Sequence, residues 1–250
     1  MKCPVCGRES WRTTIAGTGF HIEECSAGCI RRTVPPPKYC PDLPDGASAE
    51  NLDDKDSGHF RIAGEILDVV GGVQPSGKLL DIGSGWGQLL KLAGDRGYDA
   101  MGLEASPGAA DISRQAFGAN VIEGSFPEYR FEPCAFEDPL AALSEAQRIL
   151  KPDGILAVCV PNFNSVMSQV KCKRWQGLQP SQHVWQLSVR SVCRLTNAAG
   201  LTPVAVRHRQ LDYPHGPRSL PKWIVWLAVL TTARLSRLGD NVIVLAGKAE

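Results

Sequence analysis

Two groups of residues in this chain have types and spacing suited to chemistry. Cys3 and Cys6 stand as C-x2-C and Cys25 and Cys29 as C-x3-C, with 18 residues between the pairs. A close pair on a tight turn can aim two thiolates at one ion, and Zn²⁺ accepts four such ligands in a tetrahedron at about 2.3 Å. A site closed by four thiolates has no position left for water, so the ion would be structural. The second pair is one residue longer than the usual C-x2-C, which keeps Cys40 or His21 open as a further ligand.

The other group is the stretch "KLLDIGSGWGQLL", Lys78 to Leu90, where Asp81 precedes Gly83, Gly85 and Gly87. An apolar strand-like run that passes through a glycine turn into a helical run presents backbone N–H groups to a ligand. Glu104 follows 23 positions after Asp81, where a carboxylate can accept hydrogen bonds from both hydroxyls of a ribose. Glycine turns alone are weak signals, since nicotinamide-binding folds use them too.

The surrounding pattern supplies elements to hold these groups. Phe60, Ile62, Ala63, Ile66, Leu67 and Val70 have helical spacing. "KLLDIG" predicts a buried strand, and "GQLLKLAGDRG" a helix closed by Gly97. "YDAMGLEA" predicts a second strand, and a helix follows with Ser106 as N-cap and Pro107 at its first position. "NVIEGSF" predicts a third. A β-α-β-α-β succession implies parallel strands with helices on the sheet faces, and ligands bind at the carboxyl ends of such strands. Those ends carry Gly83, Glu104 and Ser125.

The order "DIGSGWG", "GLEAS", "IEGSF" and "RILKPDGILAVCVPN" resembles the class I S-adenosylmethionine-dependent methyltransferases. Together with the cysteines it is most similar to bacterial small-molecule members that carry an N-terminal zinc ribbon. The resemblance runs from Cys3 to the final "NVIVLAGK". It implies an α/β, Rossmann-like, doubly wound and mostly parallel sheet with a small N-terminal zinc ribbon. It also implies cofactor contacts from Asp81, Gly83, Ser84, Gly85, Gly87, Glu104, Ala105, Gly124, Ser125 and Phe126. Ser125 stands where the family often has an aspartate beside the adenine, so that contact is expected to be weaker or rebuilt from Phe126.

The family's fourth strand has no counterpart. "PEYRFEPCAFED", Pro127 to Asp138, is broken by prolines and acidic residues and offers no uninterrupted apolar run. A loss of roughly a dozen residues describes it, leaving six strands where the family has seven. Either "ILAVCVP", Ile155 to Pro161, closes up beside the first strand, or "YRFEPCAF" fills the gap as a poor strand.

On the acceptor side, His183 matches a histidine that such family members place beside the active site. An imidazole with a pKa near about 6.5 can act as a base; the plain alternative is a loop hydrogen bond. Asn162 positions an acceptor or caps its turn, and Trp175 and Trp185 read as lid or core packing. Ser188 is expected to cap the helix "VRSVCRLTNAAG", with a strand "LTPVAVRHRQ" after it.

The whole chain sets limits. With 250 residues, 43% hydrophobic and 21% charged, it suits one sizeable core and an appendage. A net charge of +1 does not indicate nucleic acid, and "KCKR" and "RHR" read as solvated faces. The start "MKCPVCG" is no secretory signal, which predicts a reducing cytoplasm and a non-disulfide use for nine cysteines. Cys134, Cys159, Cys172 and Cys193 read as dispersed small residues. "WIVWLAVL", Trp223 to Leu230, is far short of the ~20 residues that span a bilayer. The proline-rich run from Arg31 to Gly58 reads as a linker, and the chain divides into ribbon 1–34, linker 35–58 and cofactor domain 59–250.

These readings favour a zinc-containing methyltransferase acting on an O, N or C atom of a small molecule. Two others stand beside it: a methyltransferase-derived scaffold that does not turn over, and an RNA methyltransferase whose ribbon grips phosphates through Arg31 and Arg32. Oligomeric state is not legible in the sequence.

Overall fold

The computed structural model describes residues 1–37, 58–124, 126, 138–181, 183–209, 227–228, 231–232 and 238–249. Cys40, Ser125, Cys134, the interval read as a lost strand and most of the apolar run near Trp223 lie outside them. The chain forms two compact units, Lys38–Glu137 and Met1–Pro37 with Asp138–Glu250.

The second of these begins with three antiparallel strands, β1 (Trp11–Ala16), β2 (His21–Cys25) and β3 (Arg31–Val34). β3 takes up the first residues of the run read as linker. Glu23 and Glu24 lie opposite Arg32 and Arg31 across the β2–β3 ladder, a pairing of unlike charges that favours this register.

The Lys38–Glu137 unit is the expected β-α-β-α-β succession. Helix α1 (Gly58–Gly71) is followed by β4 (Lys78–Ile82), α2 (Gln88–Asp95), β5 (Asp99–Glu104), α3 (Pro107–Phe117) and β6 (Val121–Glu123). The three strands are parallel in the order β4-β5-β6. Leu67, Ala93 and Tyr98 pack with Leu79 and Ala100, and Leu90, Ala110 and Val121 form the adjoining core. Gly97 takes the left-handed conformation after α2, and Ser106 accepts the Ala109 N–H at the start of α3, as their types demand.

The remainder contains α4 (Pro139–Ile149), β7 (Ile155–Pro161), α5 (Val166–Lys171), a 3-10 turn at Cys172–Arg174, β8 (Trp185–Gln186), α6 (Val189–Ala198), β9 (Leu201–Arg209) and β10 (Asn241–Lys248). β10 runs antiparallel between β7 and β9, so those two point the same way. Among the described residues the expected six strands form two three-stranded sheets, β4-β5-β6 and β7-β10-β9. α6 opens with Ser188 and Ser191 in a reciprocal capping box.

One feature departs from the sequence reading. β8 pairs antiparallel with β3, Arg31 opposite Gln186 and Arg32 opposite Trp185, so the cysteine-bearing strands form a four-stranded sheet β1-β2-β3-β8. Ile22 of β2 lies in one buried cluster with Phe163, Met167, Trp175 and Leu178, with Ile15 and Phe20 against it. The cysteine-bearing strands thus contribute to their unit's core.

Candidate functional site

In the parallel sheet, the carboxyl ends of β4 and β5 meet at the glycine turn. Gly83, Gly85 and Gly87 all have positive φ, at 74°, 53° and 87°, a region in which side chains are strained. A Cβ would meet nothing within 4 Å at Gly83 or Gly85, so the turn offers open backbone there. At Gly87 it would stand 2.0 Å from Ser113 Oγ, so there the missing side chain lets α2 and α3 approach.

Glu104, buried at the end of β5, fixes this turn. Its Oε2 accepts the Gly85 N–H and its Oε1 the Ser106 N–H, both at 2.8 Å. Leu103 O accepts the Gly83 N–H at 2.8 Å, and Glu104 O accepts the Gly124 N–H at 3.0 Å. Each carboxylate oxygen thus has one donor and a lone pair to spare. Asp81, on β4, is half-buried; burial and then the charge of Glu104 push its carboxyl up to about 6. Ser84, buried within the turn, and Ala105 after Glu104 line the same region, and Trp86 stacks edge-on with His59 at 5.7 Å. Phe126 is buried at 2% exposure, and Ser125 is outside the described residues. Two carboxylates, one of them held at a cost that a cation would relieve, beside open glycine backbone suit a cationic nucleoside-like ligand. S-adenosylmethionine is of that kind.

In the other unit, the sulfur atoms of Cys3, Cys6, Cys25 and Cys29 all lie within 4.8 Å of one another, with Cys6 and Cys25 Sγ 3.6 Å apart. Four sulfurs bound at about 2.3 Å to one tetrahedral ion stand about 3.8 Å apart. The first turn is closed by Gly7 N–H to Cys3 O at 2.8 Å and the second by Gly28 N–H to Cys25 O at 2.7 Å. Gly28, at φ 63°, absorbs the extra residue of C-x3-C. Burial pushes the Cys3 thiol up to about 12 and raises Cys29 as well. Cys6 is brought to about 7: its slight burial opposes this, and the Arg8 backbone and the other thiols outweigh it. Thiols so close cannot all ionise without a cation, and a divalent metal removes that conflict. His21 has another occupation, its Nε2 lying 3.3 Å from Glu23 Oε1.

His183 is in this unit too, apart from the glycine turn in the chain's division. Burial holds its pKa below the ordinary value, against the smaller opposing effect of the Gly177 and Leu178 backbone. Asn162 caps its turn: its Nδ2 donates to Gly239 O at 3.0 Å and its Oδ1 accepts the Asn164 N–H. Trp175 is core, edge-on to Phe163 with its Nε1 donating to Asp240 Oδ1 at 2.8 Å, and Trp185 stacks on Trp11 at 6.3 Å. Arg31 and Arg32 are engaged. Arg31 lies over Phe163 and pairs with Glu24 at 2.7 Å; Arg32 lies over Trp11 and pairs with Glu23 at 2.7 Å.

Comparison with known proteins agrees with the glycine-turn geometry. Residues 59–206, more than half of the chain, match the family described as methyltransferase domain. The chain belongs to the methyltransferase-domain family. This methyltransferase resembles a chain of the complex between the Trm112 methyltransferase activator of Haloferax volcanii and its methyltransferase partner. The TM-score is 0.58 at 19% identity, over 81% of this chain and 93% of that one. It also resembles an S-adenosylmethionine-dependent methyltransferase of Archaeoglobus fulgidus (TM-score 0.53, 14% identity, 77% and 95% covered). A third relative, from Thermotoga maritima, is described as a possible histamine N-methyltransferase (TM-score 0.54, 20% identity, 75% and 89% covered). No curated protein matches the chain by sequence. The match begins at residue 59, so neither the ribbon nor its junction with β8 was given by the family. β8 is only two residues long and has no readable period.

Proposed function

We propose that this methyltransferase transfers a methyl group to an O, N or C atom of a small molecule, and that its four cysteines hold one structural zinc ion. What carries the first part is the Glu104 carboxylate, bound to the glycine turn through Gly85 N–H and to the next helix through Ser106 N–H. That arrangement fixes the backbone of Gly83 to Gly87 and leaves one acceptor lone pair per oxygen for a ribose diol. Asp81, ionised, would hold the cationic methionine end. Ala105, Gly124, Ser125 and Phe126 would flank the adenosine.

When bound, S-adenosylmethionine supplies an electrophilic methyl on a sulfonium. The chain has then to hold the acceptor atom in line, about 3–3.5 Å away, and to take a proton only if the acceptor carries one. His183 is the candidate for that proton, because burial keeps its imidazole neutral at pH 7. A small acceptor is favoured over RNA by the side chains themselves: Arg31 and Arg32 are bound to Glu24 and Glu23 and to aromatic rings.

Calorimetric titration of the folded, zinc-loaded protein with S-adenosylmethionine and its demethylated product tests the reading. Micromolar binding, about −8 kcal/mol, is the expected result. Absence of heat and of thermal stabilisation in a folded sample would leave the non-catalytic scaffold in its place. Release of much less than one zinc ion per denatured chain would remove the metal assignment.

A further inference from the structure

The segment that carries His183 is bonded to the ribbon by the β3–β8 ladder and by Thr33. Thr33 of β3 is 2% exposed and makes three bonds across the junction. Its N–H donates to Val184 O at 2.8 Å, its hydroxyl donates to His183 O at 2.6 Å, and the same oxygen accepts from Gln186 Nε2 at 3.1 Å. Gln186 Nε2 also reaches Leu178 O at 3.0 Å, and the His183 N–H donates to Gln179 O at 2.9 Å. The His183 backbone, the Leu178 carbonyl and Gln186 therefore share one set of bonds with Thr33.

The opposite end of the same strands is closed by the cysteines. Thr33 lies opposite Ile22 in the β2–β3 ladder, Cys25 ends β2, and Cys29 stands two residues before β3. Ile22 is buried against Leu178 and Trp175, which ties the ribbon to the same loop by apolar contact. A strand pair held at one end by a metal and at the other by buried hydrogen bonds has little freedom to shift register.

We infer that Thr33 is a positioning residue for His183, and that the ribbon sets the conformation of the 177–186 segment as long as its four cysteines are closed on a metal. This rests on the reading of His183 as the acceptor-side base. It adds a task for the ribbon: control of the site by metal occupancy, exerted through the bonds of Thr33 and not through any ligand contact.

The test uses the full chain, zinc-loaded, as wild type, Thr33→Val and Thr33→Ser, with two readouts besides activity. One is hydrogen exchange of the backbone amides of 183–186; the other is NMR titration of the His183 ring. In the valine variant, exchange should accelerate at least about tenfold and the ring pKa should rise toward its ordinary value, near about 6.5, while serine restores both. A folded valine variant with one zinc ion and unchanged readouts would overturn the inference, and so would a serine variant that behaves like valine. Withdrawal of zinc from the wild type by a chelator gives a second arm, with protection at 183–186 lost in step with the metal. Protection that persists in the zinc-free chain also overturns it. His183→Ala with full methyl transfer would sink the positioning claim. Failure to bind S-adenosylmethionine strikes the proposed function alone, because the exchange readouts do not depend on it.

Discussion

Asp81 and Glu104 do opposite things with their charge. Glu104 is stabilised by two backbone donors, whereas Asp81 is half-buried beside it with its carboxyl pushed up to about 6 from an ordinary 3.8. A raised acid pKa contributes stability that is full below the ordinary value and lost as pH rises through the folded one. Asp81→Asn should therefore stabilise the ligand-free protein at pH 7.5 by up to about 3 kcal/mol, with the gain vanishing toward pH 4; denaturant unfolding at both pH values measures it. The same variant should bind S-adenosylmethionine more weakly, because the cationic end loses its counter-charge. In the wild type, affinity should rise between pH 5 and 7 with up to one proton released per ligand, read from calorimetry in buffers of different ionisation enthalpy. Glu104→Ala leaves two N–H groups without acceptors and should cost about 1–3 kcal/mol of stability along with most of the affinity. An unchanged dissociation constant in that variant would remove Glu104 from the ribose.

At the scale of elements, the glycines of the turn are not equivalent. Gly87→Ala would bring a Cβ into Ser113 Oγ and into a left-handed backbone at once, so a loss of about 2–3 kcal/mol is expected in thermal unfolding. Gly85→Ala meets no atom and should suffer only the backbone strain, of order 1 kcal/mol. What was legible here was legible for local reasons. The helix caps at Ser106 and Ser188, the glycine turn and the strand ends follow from residue types within a few positions of each other. The cysteine pairs were readable for the same reason, and the structure adds Gly28 as the means by which the longer pair reaches the same cluster. The β3–β8 pairing was not legible, because its paired residues, Arg31 with Gln186 and Arg32 with Trp185, are far apart in the chain and the shorter strand has two residues. Thr33 and Gln186 are ordinary polar residues until that pairing buries them.

For the molecule as a whole, the ribbon's place in a core changes what a minimal protein is. The family match from residue 59 suggests that the first fifty-odd residues are dispensable. The structure predicts the reverse. A chain cut to begin at residue 38 would uncover Met167, Trp175 and Leu178, all within 3% of full burial, and leave β8 without its partner strand. It should be recovered mainly as aggregate, or with exposed apolar surface that binds a hydrophobic dye. A soluble, cooperatively unfolding truncated protein would show that the ribbon is an appendage after all.

The 150-residue separation between Thr33 and His183 also has a consequence in time. A ribosome working at roughly 5–20 residues per second needs roughly 8–30 s to deliver the second after the first. For most of that interval Ile22 has only Ile15 and Phe20 against it, because Phe163, Met167, Trp175 and Leu178 are still to be made. Zinc, on the proposed assignment, can close the two cysteine turns early and hold the strands in register until their partner emerges. Metal supply would then decide the yield of this protein during synthesis, and zinc shortage would show as nascent chains lost to degradation while molecules already folded stay intact.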